Sequence, residues 1–117
     1  MMKSDKIYIF HMIDSIDQII EYTDQLTQEE FLENRLIQDA VVRNFEIIGE
    51  AAKNISDHNR EKYKQVPWKK MAGMRDKLIH NYMGVDLNAV WNTVEQVIPP
   101  IRTKLTEVIL SIEDDNP

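Results

Sequence analysis

The chain has 117 residues, enough for one domain with a real core but few enough to gain from an oligomer. Its 43% hydrophobic and 29% charged residues exclude a disordered chain, and three glycines with four prolines are too few for an all-β protein that must turn every ten residues or so. The absence of cysteine excludes disulfides, thiolate catalysis and cysteine-based zinc or iron–sulfur sites, and it fits a reducing compartment.

The net charge of −6 conceals an asymmetry. Residues 60–80 hold Arg60, Lys62, Lys64, Lys69, Lys70, Arg75 and Lys77 against only Glu61 and Asp76, a local charge of +5 between flanks of −7 and −4. Such a segment attracts polyanions locally even when the whole molecule does not, although a solvated lysine face has the same composition. The amino-terminal region is interrupted by Asp14, Asp17 and Glu21, so no apolar run suits a signal peptide or a membrane span. A soluble, cytoplasmic protein without membrane contact is expected.

The first helix is predicted from about Asp5 to Leu26, with Ser4 as its N-cap. Ile9, Ile13, Ile16 and Ile20 form its apolar stripe, widened by Met12 and Ile19. His11 lies beside this stripe with no ligand-type partner at helical spacing and reads as a surface or boundary histidine. Thr27-Gln28-Glu29-Glu30 has the pattern of a capping box and should start a short helix carrying Phe31 and Leu32. A break near Glu33-Asn34 leads into a long helix ending near Ile55. Its expected buried stripe is Ile37, Val41, Asn44, Ile48, Ala51 and Ile55, with Ala40, Ile47 and Ala52 alongside, and Gly49, Ala51 and Ala52 would permit close approach of another helix. The same helix carries a polar stripe of Asp39, Arg43, Glu46 and Glu50. This reads either as helical ion pairs or as a face that orients residues of the basic segment.

Residues 56–66 read as a connection with one helical turn. A helix should start at Pro67 or Trp68, because proline suits the first turn, and should end near Met83 with Gly84 as its C-cap. Trp68, Met71, Ala72, Arg75, Leu78, Ile79 and Tyr82 share one face of it. Asp86 can cap the final element, whose stripe runs from Leu87 through Val90, Trp91, Val94, Val97, Ile98, Ile101, Leu105 and Val108 to Ile112. The stripe stays in phase across Pro99-Pro100, which predicts one long helix kinked at the prolines. Residues 113–117 should fray. The expectation is a single all-α domain over residues 1–117, an antiparallel bundle of four main helices with one or two short extras.

The chain has no G-x-x-x-x-G-K-[ST], G-x-G-x-x-G or G-x-S-x-G motif, so a nucleotide-binding loop or serine nucleophile elbow has no support, and no bound cofactor is expected. His11, His58 and His80 lie far apart and none belongs to an H-x-x-x-H pair, so no metal site is expected. Glu46 and Glu50 have the spacing to share a divalent ion, but Arg43 beside them favours ion pairing. What remains is Arg75, His80 and Tyr82. Histidine exchanges a proton near neutral pH, and arginine matches phosphate and stabilises a phosphorane-like transition state. Tyrosine supplies a hydroxyl that can bond a substrate or be modified. These parts suit metal-independent cleavage of RNA by its own 2′-hydroxyl. They are also common by chance, and a histidine near a helix C-terminus often serves only the helix dipole. On a straight helix His80 lies about 140° from Arg75, so one helix cannot aim both at one phosphate. A frayed helix end or a second subunit contributing its own copy removes the difficulty, and a two-fold dimer bringing two Arg75/His80 sets into one cleft is the preferred expectation.

The stretch Arg75-Asp76-Lys77-Leu78-Ile79-His80-Asn81-Tyr82 resembles the R-x4-H-x-Y motif of HepT-like toxins of the HEPN superfamily. Val66-Pro67-Trp68, Gly73-Met74-Arg75, Gly84-Val85-Asp86, Trp91, the later prolines and Arg43-Asn44-Phe45-Glu46-Ile47-Ile48-Gly49-Glu50-Ala51-Ala52 are also similar to the family pattern. The resemblance implies a homodimeric helical bundle acting as a metal-independent endoribonuclease. Arg75 and His80 would be catalytic, Asp76 supporting, Lys69, Lys70 and Lys77 in contact with RNA, and Arg43, Glu46 and Glu50 orienting. It further implies a type VII-like toxin–antitoxin pair. The partner would be an MntA-like nucleotidyltransferase antitoxin that transfers AMP to Tyr82, placing an anionic group beside the cleft. The alternatives are a non-catalytic HEPN module that binds RNA, nucleotide or a nucleotidyltransferase, and a purely structural helical dimer.

Overall fold

The computed structural model describes residues 4–74, 76 and 86–115, with side chains as far as Ile112, and every regular element among them is helical. Helix α1 (Asp5–Thr23) starts at Ser4, whose Oγ accepts from the Lys6 N–H at 3.2 Å. It ends earlier than expected because Gln25 takes a left-handed φ of 68°. Its buried arc is Ile9, Met12, Ser15, Ile16, Ile19 and Thr23. Ile13 is only half-buried and Ile20 is exposed, which corrects the predicted stripe. The arc is rotated because α1 packs against two helices, and it takes in the small Ser15 and Thr23. Thr23 keeps its hydroxyl satisfied by donating to the Ile19 carbonyl at 2.7 Å.

Helix α2 (Gln28–Glu33) carries the predicted box: the Glu30 N–H donates to Thr27 Oγ1 at 3.1 Å, and the Thr27 N–H to Glu30 Oε1 at 2.9 Å. Phe31 is fully buried, its ring 5.2 Å from that of Trp91. Asn34 ends α2 and caps α3 (Arg35–Lys53), accepting from the Ile37 N–H at 3.0 Å. Buried Gln38 reaches back and donates to the Phe31 and Leu32 carbonyls, so the chain reverses without orphaning the end of α2. The buried face of α3 is Val41, Asn44, Phe45, Ile48, Gly49, Ala51 and Ala52. Phe45 belongs to this face although the predicted stripe omits it, and Ile37 is only half-buried. Asn44 is tolerated there because its amide donates to the Ala40 carbonyl at 2.8 Å.

The carboxyl end of α3 is closed by a residue of the next helix. Arg60 of α4 (Asp57–Lys62) donates from Nε to the Ile55 carbonyl and from Nη2 to those of Ala52 and Lys53. The same corner is tied to the start of α1 through Asp5. Its carboxylate accepts from the Ser56 N–H (3.1 Å), the Ser56 hydroxyl (2.5 Å) and the Asn59 amide (2.6 Å). This tie sets α1 and α3 antiparallel.

Helix α5 (Trp68–Ala72) follows Pro67 as expected, with the Trp68 indole N–H on the Tyr63 carbonyl at 3.0 Å and the Tyr63 hydroxyl on Ser111 Oγ. It stops at Gly73 rather than running unbroken towards Met83. Glycine in a helix interior costs about 1 kcal/mol relative to alanine, and a turn is where that cost vanishes. The helix end at Met83 and the Gly84 cap lie outside the described residues. Asp86 caps α6 (Leu87–Asn92), accepting from the Ala89 N–H at 3.1 Å.

A π turn, Thr93–Val97, joins α6 to α7 (Ile98–Asp115). The predicted irregularity at Pro99-Pro100 therefore takes the form of a widened turn just before the prolines. Neither proline has an N–H to return to the preceding turn, and the Ile98 N–H already bonds five residues back, to Thr93. The apolar stripe keeps its phase across this turn: Val90, Trp91, Val94, Ile98, Ile101, Leu105, Val108 and Ile112 are all buried. Helix α7 reaches Asp115, into the stretch expected to fray, and residues 116–117 lie outside the described part. α7 runs antiparallel to α1, fastened by Arg102 gripping both carboxylate oxygens of Asp17 at 2.6 and 3.3 Å. That hydrogen bond and the charge of Asp17 raise the Arg102 pKa above its ordinary value. No helix among the described residues is long and apolar enough to cross a membrane.

Candidate functional site

Helix α5, which precedes the motif in sequence, is seated on α3, closely so at Gly49. A Cβ added to Gly49 would lie 3.4 Å from both the Met71 and the Ala72 carbonyl oxygens, so the absent side chain lets the end of α5 rest on the α3 backbone. Met74, two residues beyond Ala72, is buried, and Asp76 is exposed. Arg75, Lys77, His80 and Tyr82 lie outside the described residues.

Met74 and Asp86 line one cleft of about 330 Å³ between α5 and α6, together with Lys70, Ala89, Asn92 and Thr93. Lys69 and Lys70 are exposed on α5 and line a second, wider groove. Of the other cations in the basic stretch, Arg60 is committed to the end of α3. Lys62 lies over the Tyr63 ring at 5.5 Å, and Lys64 pairs with Glu61 at 3.3 Å on the surface.

Arg43, Glu46 and Glu50 come together, as their helical spacing requires. They line a groove of about 390 Å³ between α3 and α1 with Tyr8, His11 and Asn54. Tyr8 and His11 meet edge to face, ring centroids 6.4 Å apart. Asp39 does not join this group: it pairs with Arg35 at 3.8 Å, and both side chains are mostly exposed. Among the described residues, the wall opposite the polar stripe belongs to α1, where Tyr8 and His11 were not expected to share its groove. The signal that would have found them is the antiparallel pairing of α1 with α3, which Asp5 and Ser56 impose across 51 residues of sequence.

The chain was compared with known proteins. The family model described as "Ribonuclease HepT-like" matches residues 12–108. The chain is 48% identical over 115 residues to "Gamma-glutamylcyclotransferase and putative RNase MJ0434" of Methanocaldococcus jannaschii, covering 98% of this chain and 50% of that protein. It thus spans about half the length of that relative. It is 45% identical over 113 residues to "Putative RNase MJ1216" of the same organism, covering 95% of this chain and 93% of the relative. It is 42% identical over 108 residues to "Probable ribonuclease HepT" of Thermococcus cleftensis, covering 92% and 98% respectively. No solved structure matches the chain. The family match spans most of the helical bundle and includes the cleft-lining residues Met74 and Asp86, and on that footing the chain belongs to the HepT-like ribonuclease family.

Proposed function

We propose that the protein is the toxin of a type VII-like toxin–antitoxin pair, a cytoplasmic endoribonuclease that cleaves RNA without a metal ion. The observation that carries this reading is the family match over residues 12–108, which contains the whole of Arg75-Asp76-Lys77-Leu78-Ile79-His80-Asn81-Tyr82. The RNA 2′-hydroxyl attacks the adjacent phosphorus while His80 handles the proton. The bond to the 5′-oxygen breaks, leaving a 2′,3′-cyclic phosphate and a 5′-hydroxyl. Arg75 stabilises the additional negative charge on the pentacoordinate phosphorus. Two copies of the chain, related by a two-fold axis, supply Arg75 and His80 to one cleft. Asp76 supports Arg75, Lys69, Lys70 and Lys77 hold RNA, and Arg43, Glu46 and Glu50 orient the motif from α3.

Control comes from a small MntA-like nucleotidyltransferase. The Tyr82 phenol oxygen attacks the α-phosphorus of ATP, pyrophosphate leaves, and the tyrosyl-AMP obstructs RNA by bulk and charge. Co-expression with such an enzyme should add one or more AMP masses to the wild type and none to Tyr82→Phe. Retention of the shift in Tyr82→Phe would assign the modification to another residue.

The experiment on the reaction itself is cleavage of single-stranded RNA with and without EDTA, reading the ends of the products. Cyclic phosphate ends formed equally well in EDTA are expected. Activity lost to EDTA and restored by a metal contradicts the mechanism. Binding without product assigns the chain to the non-catalytic HEPN modules.

A further inference from the structure

We infer that the groove along the α4–α5 connection is a track for the phosphodiester backbone of single-stranded RNA, delivering the strand to the cleft between α5 and α6. The inference rests on the ribonuclease reading above and extends it to a site that the motif does not contain.

Four cations line this groove of about 630 Å³, Arg60, Lys64, Lys69 and Lys70, and among the described residues no carboxylate lines it. In a chain of net charge −6, such a concentration of one sign sets a local field that favours a polyanion. The floor is rigid. Pro67 has a fixed φ, and Trp68 is 5% exposed with its indole N–H held on the Tyr63 carbonyl. The cations differ in role. Arg60 is anchored on the carbonyls of Ala52, Lys53 and Ile55, so it contributes a fixed charge. Lys64, Lys69 and Lys70 are exposed, and each is a compact charge on a flexible stem that can follow a bending strand. The Lys64–Glu61 pair, with side chains 76% and 77% exposed, holds Lys64 only weakly, so turning it to a phosphate costs little.

Direction comes from Lys70, which lines both this groove and the cleft bounded by Met74 and Asp86. A strand lying on Lys64 and Lys69 therefore reaches the cleft between α5 and α6 at Lys70. Lysine–phosphate contacts position a strand and carry no sequence information. This track should therefore strengthen binding to any single strand and leave sequence preference to the cleft.

The test measures binding of a fluorescein-labelled 2′-O-methyl oligouridylate, which lacks the attacking hydroxyl, to the full chain across a range of KCl concentrations. Each phosphate contact on a single strand contributes about 0.7 to the slope of log affinity against log salt. Lys64→Gln/Lys69→Gln/Lys70→Gln should therefore flatten that slope by about 2 and weaken binding on the order of 100-fold at 0.1 M salt, if the lines converge near 1 M. Arg35→Gln/Lys53→Gln, equally exposed but outside the groove, should leave the slope unchanged. An unchanged slope in the triple variant, in a protein that still cleaves RNA, overturns the track and spares the ribonuclease reading. Groove-dependent binding by a wild type that cleaves nothing does the reverse. No binding even at low salt refutes both.

Discussion

Gly49 is where α3 and α5 meet, and substitutions there should separate contact from clash. A methyl at this position would sit 3.4 Å from the Met71 and Ala72 carbonyl oxygens, at the inner edge of ordinary van der Waals contact. Gly49→Ala gains about 1 kcal/mol of helix propensity in the interior of α3 and needs α5 to yield by at most a few tenths of an ångström. The variant should be within about 1 kcal/mol of wild type in urea unfolding, with its midpoint unchanged or raised. Gly49→Leu has no such room, because the branched side chain must grow from a Cβ already touching α5. Overpacking of this kind costs about 1–3 kcal/mol, and it should appear as a lowered urea midpoint with loss of RNA cleavage disproportionate to the stability lost. The reasoning fails if Gly49→Leu melts and cleaves like wild type. It also fails if Gly49→Ala loses more than about 2 kcal/mol, since the clearance would then be smaller than the geometry gives.

Two further changes probe the corner that joins α1, α3 and α4. Asp5→Ala removes the acceptor of three hydrogen bonds from Ser56 and Asn59; with a charged acceptor in a half-buried site, a loss of about 2 kcal/mol is expected from urea titration, and a change below the error of the fit would mean the tie is incidental. Arg60→Met withdraws the donors from the carbonyls of Ala52, Lys53 and Ile55. It should cost about 1–3 kcal/mol and speed hydrogen exchange at the end of α3, whereas unchanged exchange would remove Arg60 from the cap.

Caps and punctuation were the part of this fold most legible in the sequence, because they are local chemistry. Ser4, Thr27 with Glu30, and Asp86 all cap where their residue types and spacing place them. Helical stripes were legible to within a rotation. Periodicity finds an apolar arc but not its centre when a helix has two neighbours, so Ile20 is exposed while Ser15 and Thr23 are buried. Phe45 escaped because a stripe drawn through Val41, Asn44 and Ile48 already satisfied the period, and only three-dimensional packing demanded the residue beside it. Gly73 looked compatible with a continuous helix, since one glycine lowers helix propensity without forbidding it.

For the candidate site, i,i+3 and i,i+4 spacing correctly grouped Arg43, Glu46 and Glu50 on one face. It said nothing of Tyr8 and His11 opposite them, which arrive through pairing distant in sequence. The basic stretch read as a uniform charge of +5, whereas Arg60 spends its guanidinium on helix carbonyls and Lys70 stands between two clefts. One-dimensional charge counting cannot make that distinction.

The central claim is that His80 and Arg75 perform the chemistry. The most direct measurement is cleavage of a single-stranded RNA by purified His80→Ala beside wild type, with circular dichroism and sedimentation showing that both are folded and in the same oligomeric state. The account predicts that the variant binds RNA but forms no 2′,3′-cyclic phosphate product. Cleavage at the wild-type rate by folded, nuclease-free His80→Ala would contradict it.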